Sequence, residues 1–555
     1  MGMYTPSKFA VLDIETTLDH KTIHGYGVTF YEHGKSMTSG WGSSRESLEE
    51  TLQGCEHIVG HNLIGFDLPV LKAVWGWEPD PAATVIDTLV MSRLANPSRD
   101  GGHSLKNLAR LAGGELKDDF DPADFDGPCT QRMIDYCLQD TRANVDVALY
   151  VFNELQGFSD WAIVNEHYVA KYTRIQEDNG FKLDFEKACG LYNGHQARME
   201  EIERELQEVF PPIVEERYSE KTGKRLKDKV TVFNPGSRQQ VASRLEEKGV
   251  VWKQRTETGK AKVDETTLAE VGIPEADLIL EYLTLGKRIG MLRSWLDAVA
   301  GDGRIHGRVN TCGAVTGRMT HSAPNMAQIP SDALYRSCFT VDEGNKLVGI
   351  DASGLELRML AHYMQDPEYT DLILTGDIHT YNQEAAGLPT RNDAKTFIYA
   401  FLYGAGDAKI GSIVGGGARE GARLKGQFLR SLPSLDRLLS KVARIAGGGQ
   451  LPGLDGRRVH VRSEHAALNT LLQSAGAIVM KQALLNAVNR LNEYGWPYKL
   501  VAQVHDEFQV EVPEEYAERV GRVFRNAIRQ AGRDLELRCE LDGEYQVGDT
   551  WADTH

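Results

Sequence analysis

The sequence predicts a multidomain protein built from α/β and α+β units, and three observations predict it. A chain of 555 residues is too long for one hydrophobic core, and its length alone suggests three or four folding units. Residues 1–155 alternate short apolar runs with helical patterns, as an α/β unit does. Further on, two strand-like stretches more than 150 residues apart carry carboxylates, with a basic helical segment between them.

In the first unit, Phe9-Ala-Val-Leu-Asp-Ile-Glu15 reads as an apolar strand bearing Asp13 and Glu15. Residues i and i+2 of a strand face one side, so both carboxylates can meet one metal ion. HNLIGFD places Asp67 after Phe66, and YCLQD sets Tyr136 and Asp140 one helical turn apart. Asp87, in VIDTLVMSRL, reads as the cap of the helix that follows it. From about Trp161 to Glu208 the pattern is helical, and Pro211-Pro212 stops it. A polar, basic segment follows, then FNPGSRQQV, where Ser237 can cap a short helix whose N-terminus suits a phosphate. ADLILEYLTLGKRIGMLRSWLDAV is the longest uninterrupted amphipathic stretch. IVGGGARE (Ile413 to Glu420) fits neither a P-loop nor a dinucleotide fingerprint and reads as a turn between helices.

The two later acidic stretches carry the chemistry. KLVGIDASGLELRML places Asp351 at the end of an apolar run. LVAQVHDEFQVEV places Asp506 and Glu507 in the middle of a strand-like alternation. Between them RNDAKTFIYAFLYG spaces Arg391, Lys395, Tyr399 and Tyr403 four apart, on one side of a helix. Mg²⁺ takes hard oxygen ligands, and two such ions ~3.5–4 Å apart stabilise both the attacking and the leaving oxygen of a displacement at phosphorus. A helix carrying Arg and Lys can grip a triphosphate. A lone Asp at a strand end is more often a turn former or a cap. The whole set is the minimum equipment for joining a nucleotide to a 3′-hydroxyl.

Together these segments resemble the three polymerase motifs of the DNA polymerase I family (family A), and within it the enzymes of short-tailed bacteriophages. DASGLELR (Asp351 to Arg358) matches the first motif, the helix from Arg391 to Gly404 the second, and VHDE (Val504 to Glu507) the third. TGRMTHSAPNMAQIP, GDIHT and LNTLLQSAGA match in order and spacing, and the likeness runs from about Phe233 onward. The resemblance implies a right-hand polymerase: linker helices and thumb over 156–305, palm over 306–355, fingers over 356–468, and the rest of the palm over 469–555. It implies that Asp351 and Asp506 bind two Mg²⁺ ions while Glu507 assists. Arg391, Lys395 and His379 would contact the triphosphate, and Lys395 would also protonate the departing pyrophosphate. Tyr399 would lie by the sugar, with Tyr403 and Glu356 closing over it. Arg318, Gln473 and Asn469 would read the minor groove of the nascent pair, with His505 among the DNA contacts. His465, where the family often has Arg, receives no role.

The N-terminal motifs resemble the DEDD exonucleases that carry a tyrosine in the third motif. This implies a ribonuclease H-like exonuclease domain over 1–155. Asp13, Glu15, Asp67 and Asp140 would hold two further Mg²⁺ ions, and Tyr136 would orient the attacking water. One departure stands out. Some phage relatives carry a long insertion before the FNPGSR-like motif that recruits thioredoxin. Here about twenty residues, Pro211 to Val232, occupy the place, and they read as lacking a hydrophobic cluster for docking. No thioredoxin is therefore expected.

The bulk properties fit this reading. A quarter of the residues are charged and 41% hydrophobic, as in ordinary soluble proteins. No apolar run reads as the ~20 residues of a membrane span. The start, MGMYTPSKFA, lacks a signal-peptide core, and the seven cysteines form no Cys-x-x-Cys pair. The expectation is a reduced, cytoplasmic monomer in the host cell. The net charge of −17 divides unevenly: residues 1–150 hold 12 Lys/Arg against 22 Asp/Glu, whereas residues 221–340 hold 19 against 13. Phosphate affinity follows the local field, so the basic stretch is where primer–template DNA is expected. Deoxynucleoside triphosphates are the implied substrates, and a replicative helicase-primase is a candidate partner. The rival readings are a repair polymerase with the same chemistry, an RNA polymerase, which the resemblance disfavours through Glu356 at the family's 2′-hydroxyl block, and an inactive DNA-binding scaffold.

Overall fold

The computed structural model describes residues 6–114 and 121–555. The extreme N-terminus considered for a leader, residues 1–5, lies outside them. The described chain divides into two contact units, one running up to Gly180 with 307–333 and 341–555, the other formed by Phe181–His306 and Leu334–Thr340.

The first unit begins with a mixed sheet of β1 (Lys8–Thr16), β2 (Ile23–Glu32), β3 (Lys35–Gly42), β4 (His57–Gly60) and β5 (Thr84–Asp87), ordered β3-β2-β1-β4-β5. β1 pairs antiparallel with β2 and parallel with β4. Its apolar residues fill both faces: Phe9 and Val11 pack with Val145 and Phe152 of the Gln131–Glu154 helix, while Leu12 and Ile14 pack with Leu48 and Leu71. That two-sided burial is why β1 reads as a nearly unbroken apolar run.

The same unit holds an antiparallel sheet of β6 (Asn345–Ala352), β7 (Lys499–Val504), β8 (Glu507–Pro513) and β9 (Gly543–Gly548), ordered β7-β8-β6-β9. The Ala467–Tyr494 and Ala517–Asp534 helices belong to its core, where Phe508, Val510, Phe524 and Ile528 are fully buried. The longest helix among the described residues is Ala467–Tyr494, and the stretch read as amphipathic forms the Pro274–Ala298 helix. By length and composition 464–494 also qualifies as a membrane span, contrary to the sequence reading. Its apolar window is 89% buried, as in the core helix of a packed domain.

The division differs from the expected one in two ways. The Asp160–Asn179 helix, expected with the thumb, belongs to the first unit, where Asn165 donates to Gln482 and Asn179 to the Leu500 carbonyl. Buried Glu166 also pairs there with Lys481 at 2.7 Å and Arg457 at 3.1 Å. The N-terminal sheet and the palm-like sheet thus share one contact unit, although each has its own strands. Opposite charges buried together keep such a junction closed, because removing one partner strands the other.

The second unit contains the helices Phe185–Val209, Arg238–Glu247 and Pro274–Ala298, with Ser237 capping the second as expected. A small sheet of Phe181–Leu183, Arg304–Ile305 and Phe339–Thr340 was not legible, because strands of two or three residues show no periodicity. The segment read as free of a hydrophobic cluster forms a hairpin of Ile213–Glu215 with Lys229–Thr231, and Val214, Tyr218, Val230 and Val232 are all more than half exposed. Exposed apolar side chains are therefore present in this segment. Apolar residues interleaved with charges look dilute in sequence, yet a two-stranded hairpin leaves its side chains uncovered.

Candidate active sites

The carboxylate pair of the palm-like sheet sits at one strand end. β6 has neighbours on both sides, so Asp351 lies opposite Glu507 of β8 and Glu544 of β9. Asp506 is not in mid-strand. Val504 pairs with Glu507, leaving His505-Asp506 as a two-residue hairpin turn, and His505 takes φ 56° as primed turns require. The turn was hidden because both arms are buried strands and neither turn residue is glycine. The Ala352 N–H donates to the Asp506 carbonyl at 3.0 Å, tying the turn to the end of β6. The Asp351 carboxyl reaches solvent but is pushed up to about 7, first by desolvation and then by the charges of Asp506 and Glu507.

Glu507 is buried and already engaged. Its Oε1 accepts from Gln509 and from Trp551 Nε1, both at 2.5 Å, and its Oε2 lies 2.9 Å from His555 Nδ1. These three residues had no sequence signal, since they meet only through the fold. Both Glu507 oxygens are thus engaged by protein groups beside Asp351.

The Arg391–Leu402 helix starts at a capping box of Thr390 and Asp393, and its first residues carry the basic groups. Arg391 Nε donates to Asp377 Oδ2 at 2.7 Å. Asp377 in turn caps the Ile378–Ala386 helix, which places His379 with its ring 6.4 Å from that of Tyr399. Lys395 is exposed one turn after Arg391. Tyr399 is half-buried, and burial followed by the Glu356 and Asp506 charges raises its phenol. Tyr403, at the helix C-cap, donates to Glu356 Oε1 at 2.6 Å, and Arg318 reaches the same oxygen at 3.5 Å. The structure thus joins Arg318 and Tyr403 at Glu356, with Tyr399 in the field of both Glu356 and Asp506. Asn469 and Gln473 stand half-buried one turn apart on the Ala467–Tyr494 helix, and His505 is exposed in its turn.

The second set of carboxylates comprises Asp13 and Glu15 on β1, Asp67 at the start of the Asp67–Trp75 helix and Asp140 on the Gln131–Glu154 helix. Glu15, Asp67 and Asp140 are buried and Asp13 is half-buried. Asp67 Oδ1 accepts from the Ile14 N–H at 3.1 Å, which fixes it between Asp13 and Glu15. Burial, then the Asp13 charge, raises the Asp67 carboxyl well above the usual range. Tyr136 and Asp140 sit one turn apart on the Gln131–Glu154 helix, with Cys137 between them. Asp87 caps the Thr88–Ala95 helix and also accepts from Asn62 and Ile64, a structural role as expected. Among the described residues, ligand atoms of Asp13, Glu15 and Cys137 come within 4.8 Å of one another. Asp67 feels the repulsion of Asp13, and Asp351 that of Asp506, without forming such a close group. Oxygen donors of this kind suit Mg²⁺.

One consequence is measurable on the metal-free protein. A carboxyl raised in the fold contributes stability that is complete below the unfolded value and is lost as pH rises through the folded one. Asp351 therefore costs stability increasingly between the ordinary aspartate value of about 3.8 and about 7. Asp351→Asn should melt about 2 °C or more above the parent in EDTA at about pH 8, with the gap closing towards pH 4. A parent that melts higher than the variant at the upper pH would contradict this.

Comparisons with known proteins bear on the whole chain. Residues 197–553 match the model of DNA polymerase family A. The DNA-directed DNA polymerase of Escherichia phage T7 is 35% identical, over 98% of this chain and 99% of that protein. DNA polymerase I of Aquifex aeolicus is 28% identical over 89% of this chain and 88% of that one. The POL domain of Pol1 from M. smegmatis, solved in complex with DNA primer-template and dNTP, has the same fold, with a TM-score of 0.83 at 20% identity, over 99% of this chain and 97% of that one. With its carboxylate strand end, basic helix and family match in register, the chain belongs to DNA polymerase family A.

Proposed function

We propose that this polymerase extends a primer 3′-end with deoxynucleoside triphosphates on a DNA template and removes misplaced ends by 3′–5′ hydrolysis at a second site. The observation that carries the first half is the meeting of Asp351 at the end of β6 with Asp506 on the adjoining turn, beside the helix of Arg391, Lys395 and Tyr399. Arg391, Lys395 and His379 bind the triphosphate tail, and Lys395 donates a proton to the leaving pyrophosphate. The Glu356–Tyr403 pair closes over the sugar, and Arg318, Gln473, Asn469 and His505 touch the DNA. Asp351 and Asp506 would hold Mg²⁺, which when bound supplies the charge that stabilises attacking and leaving oxygens. At the second site Asp13, Glu15, Asp67 and Asp140 would hold the same ion, and Tyr136 orients the water. A primer-extension assay with Mg²⁺ tests this: growth by templated deoxynucleotides is expected, and no growth would leave the scaffold reading standing. Replication, as against repair, is favoured by the phage relatives, whose length this chain nearly spans.

Processivity is proposed to come from the basic thumb and to need no thioredoxin, because so short a hairpin replaces the insertion. Product length per binding event should be unchanged by added thioredoxin. It should fall steeply with salt, since each phosphate contact contributes about −0.9 to the slope of log K against log salt. A stoichiometric complex with thioredoxin on gel filtration would sink this proposal.

A further inference from the structure

Cys137 is a buried side chain that the two-site reading leaves without a task. Its Sγ lies 3.5 Å from Asp13 Oδ2 and 3.6 Å from the Asp13 carbonyl. Ligand atoms of Asp13, Glu15 and Cys137 all fall within 4.8 Å of one another, close enough for one ion to touch all three. The sheet makes room for the sulfur. Gly27 is the cross-strand partner of Asp13, and a Cβ there would stand 2.9 Å from Cys137 Sγ. Any larger residue at position 27 would push the thiol off the carboxylates. A second thiol, Cys129, precedes the same helix and lies within reach of the Glu15 charge.

Oxygen-only sites suit Mg²⁺ and Mn²⁺, whereas thiolate ligands select softer ions such as Zn²⁺. We infer that Asp13, Glu15 and Cys137 form a mixed sulfur–oxygen site that takes thiophilic divalent cations, and that such a cation shuts off 3′ trimming while extension continues. The second half of the inference rests on the exonuclease reading; the first does not. On binding, the Cys137 S–H bond breaks, its proton passes to solvent and a metal–sulfur bond forms, with no change of oxidation state. Among the described residues no thiol joins Asp351 and Asp506 in such a group, so extension by the same molecule is the internal control.

The test titrates the full chain, Cys137→Ser and Cys137→Ala with Cd²⁺. The readout is ultraviolet thiolate-to-cadmium charge-transfer absorbance, with trimming and extension measured in Mg²⁺ on the same samples. The expected result is one equivalent of parental absorbance missing from both variants. Trimming in both variants should then need about ten-fold more Cd²⁺ for inhibition, the scale on which ligand shells alter metal affinity, with extension equally sensitive in all three. Absorbance unchanged in both variants overturns the site, whatever trimming does. Absorbance lost with equal Cd²⁺ sensitivity of trimming overturns its control of the reaction. A parent that shows the Cys137-dependent band yet trims nothing in Mg²⁺ upholds the cation site and removes the nuclease assignment instead.

Discussion

Asp506→Ala is expected to lower the rate of primer extension by ~10²–10³-fold or more, while 3′ trimming continues at close to the parental rate. Asp506 stands on the hairpin turn against the end of β6, where it is one of two carboxylates proposed to hold the Mg²⁺ whose charge would stabilise the reacting phosphate oxygens. Removing it leaves Asp351 without its partner, and phosphoryl transfer depends almost wholly on positioning and electrostatics. Asp13→Ala with Glu15→Ala should do the reverse, because both side chains belong to β1 of the other sheet. The two sheets lie in one contact unit, so each variant also needs a thermal melt. A parental melt with lost activity assigns the loss to the site. A variant lacking Asp506 that extends at a near-parental rate would show that the assignment is wrong.

The second large effect concerns Tyr399. Its ring centroid lies 6.4 Å from that of His379, and it feels the charges of Glu356 and Asp506, surroundings in which we propose the sugar of an incoming nucleotide is held. A normal substrate brings a 3′-hydroxyl to that place, and a dideoxynucleotide does not. With phenylalanine the neighbouring polar groups are left unpaired, at ~1–3 kcal/mol each. The Tyr399 phenol can donate into the gap, so the parent should use dideoxynucleotides nearly as well as normal ones. Tyr399→Phe should restore discrimination by roughly ten- to several-hundred-fold, each ten-fold being ~1.4 kcal/mol. The measurement is the ratio of kcat/KM for the two substrates in both proteins, with trimming disabled. Strong discrimination by the parent would remove this role from Tyr399.

The parts legible in the sequence were those written as local pattern. The apolar run before Asp13 and Glu15, the four-residue spacing of Arg391, Lys395 and Tyr399, and the caps at Asp87 and Ser237 each carry their physics within a few residues. What was hidden depends on distant partners. The His505-Asp506 turn looked like strand because buried strands flank it and no glycine marks it. The clasp of Gln509, Trp551 and His555 on Glu507 forms only when the last turn packs on β8. Cys137 gave no signal because its ligand partners lie more than 120 residues away, across the sheet. The contact boundary near Gly180 was not legible, because the Asp160–Asn179 helix is tied to the first unit by distant buried pairs, notably Glu166 with Lys481, that a helical pattern does not show.

We propose that one chain carries a polymerising and a hydrolysing centre on separate sheets. A primer with a single mismatched 3′-end, annealed to template and given Mg²⁺ and deoxynucleotides, tests it most directly. The parent should first shorten the primer past the mismatch and then extend it fully. The Asp506→Ala chain should shorten it and stop, and the Asp13→Ala, Glu15→Ala chain should stall at the mismatch yet extend a matched primer. Shortening lost together with extension in both variants, with their melts intact, would contradict two separate centres.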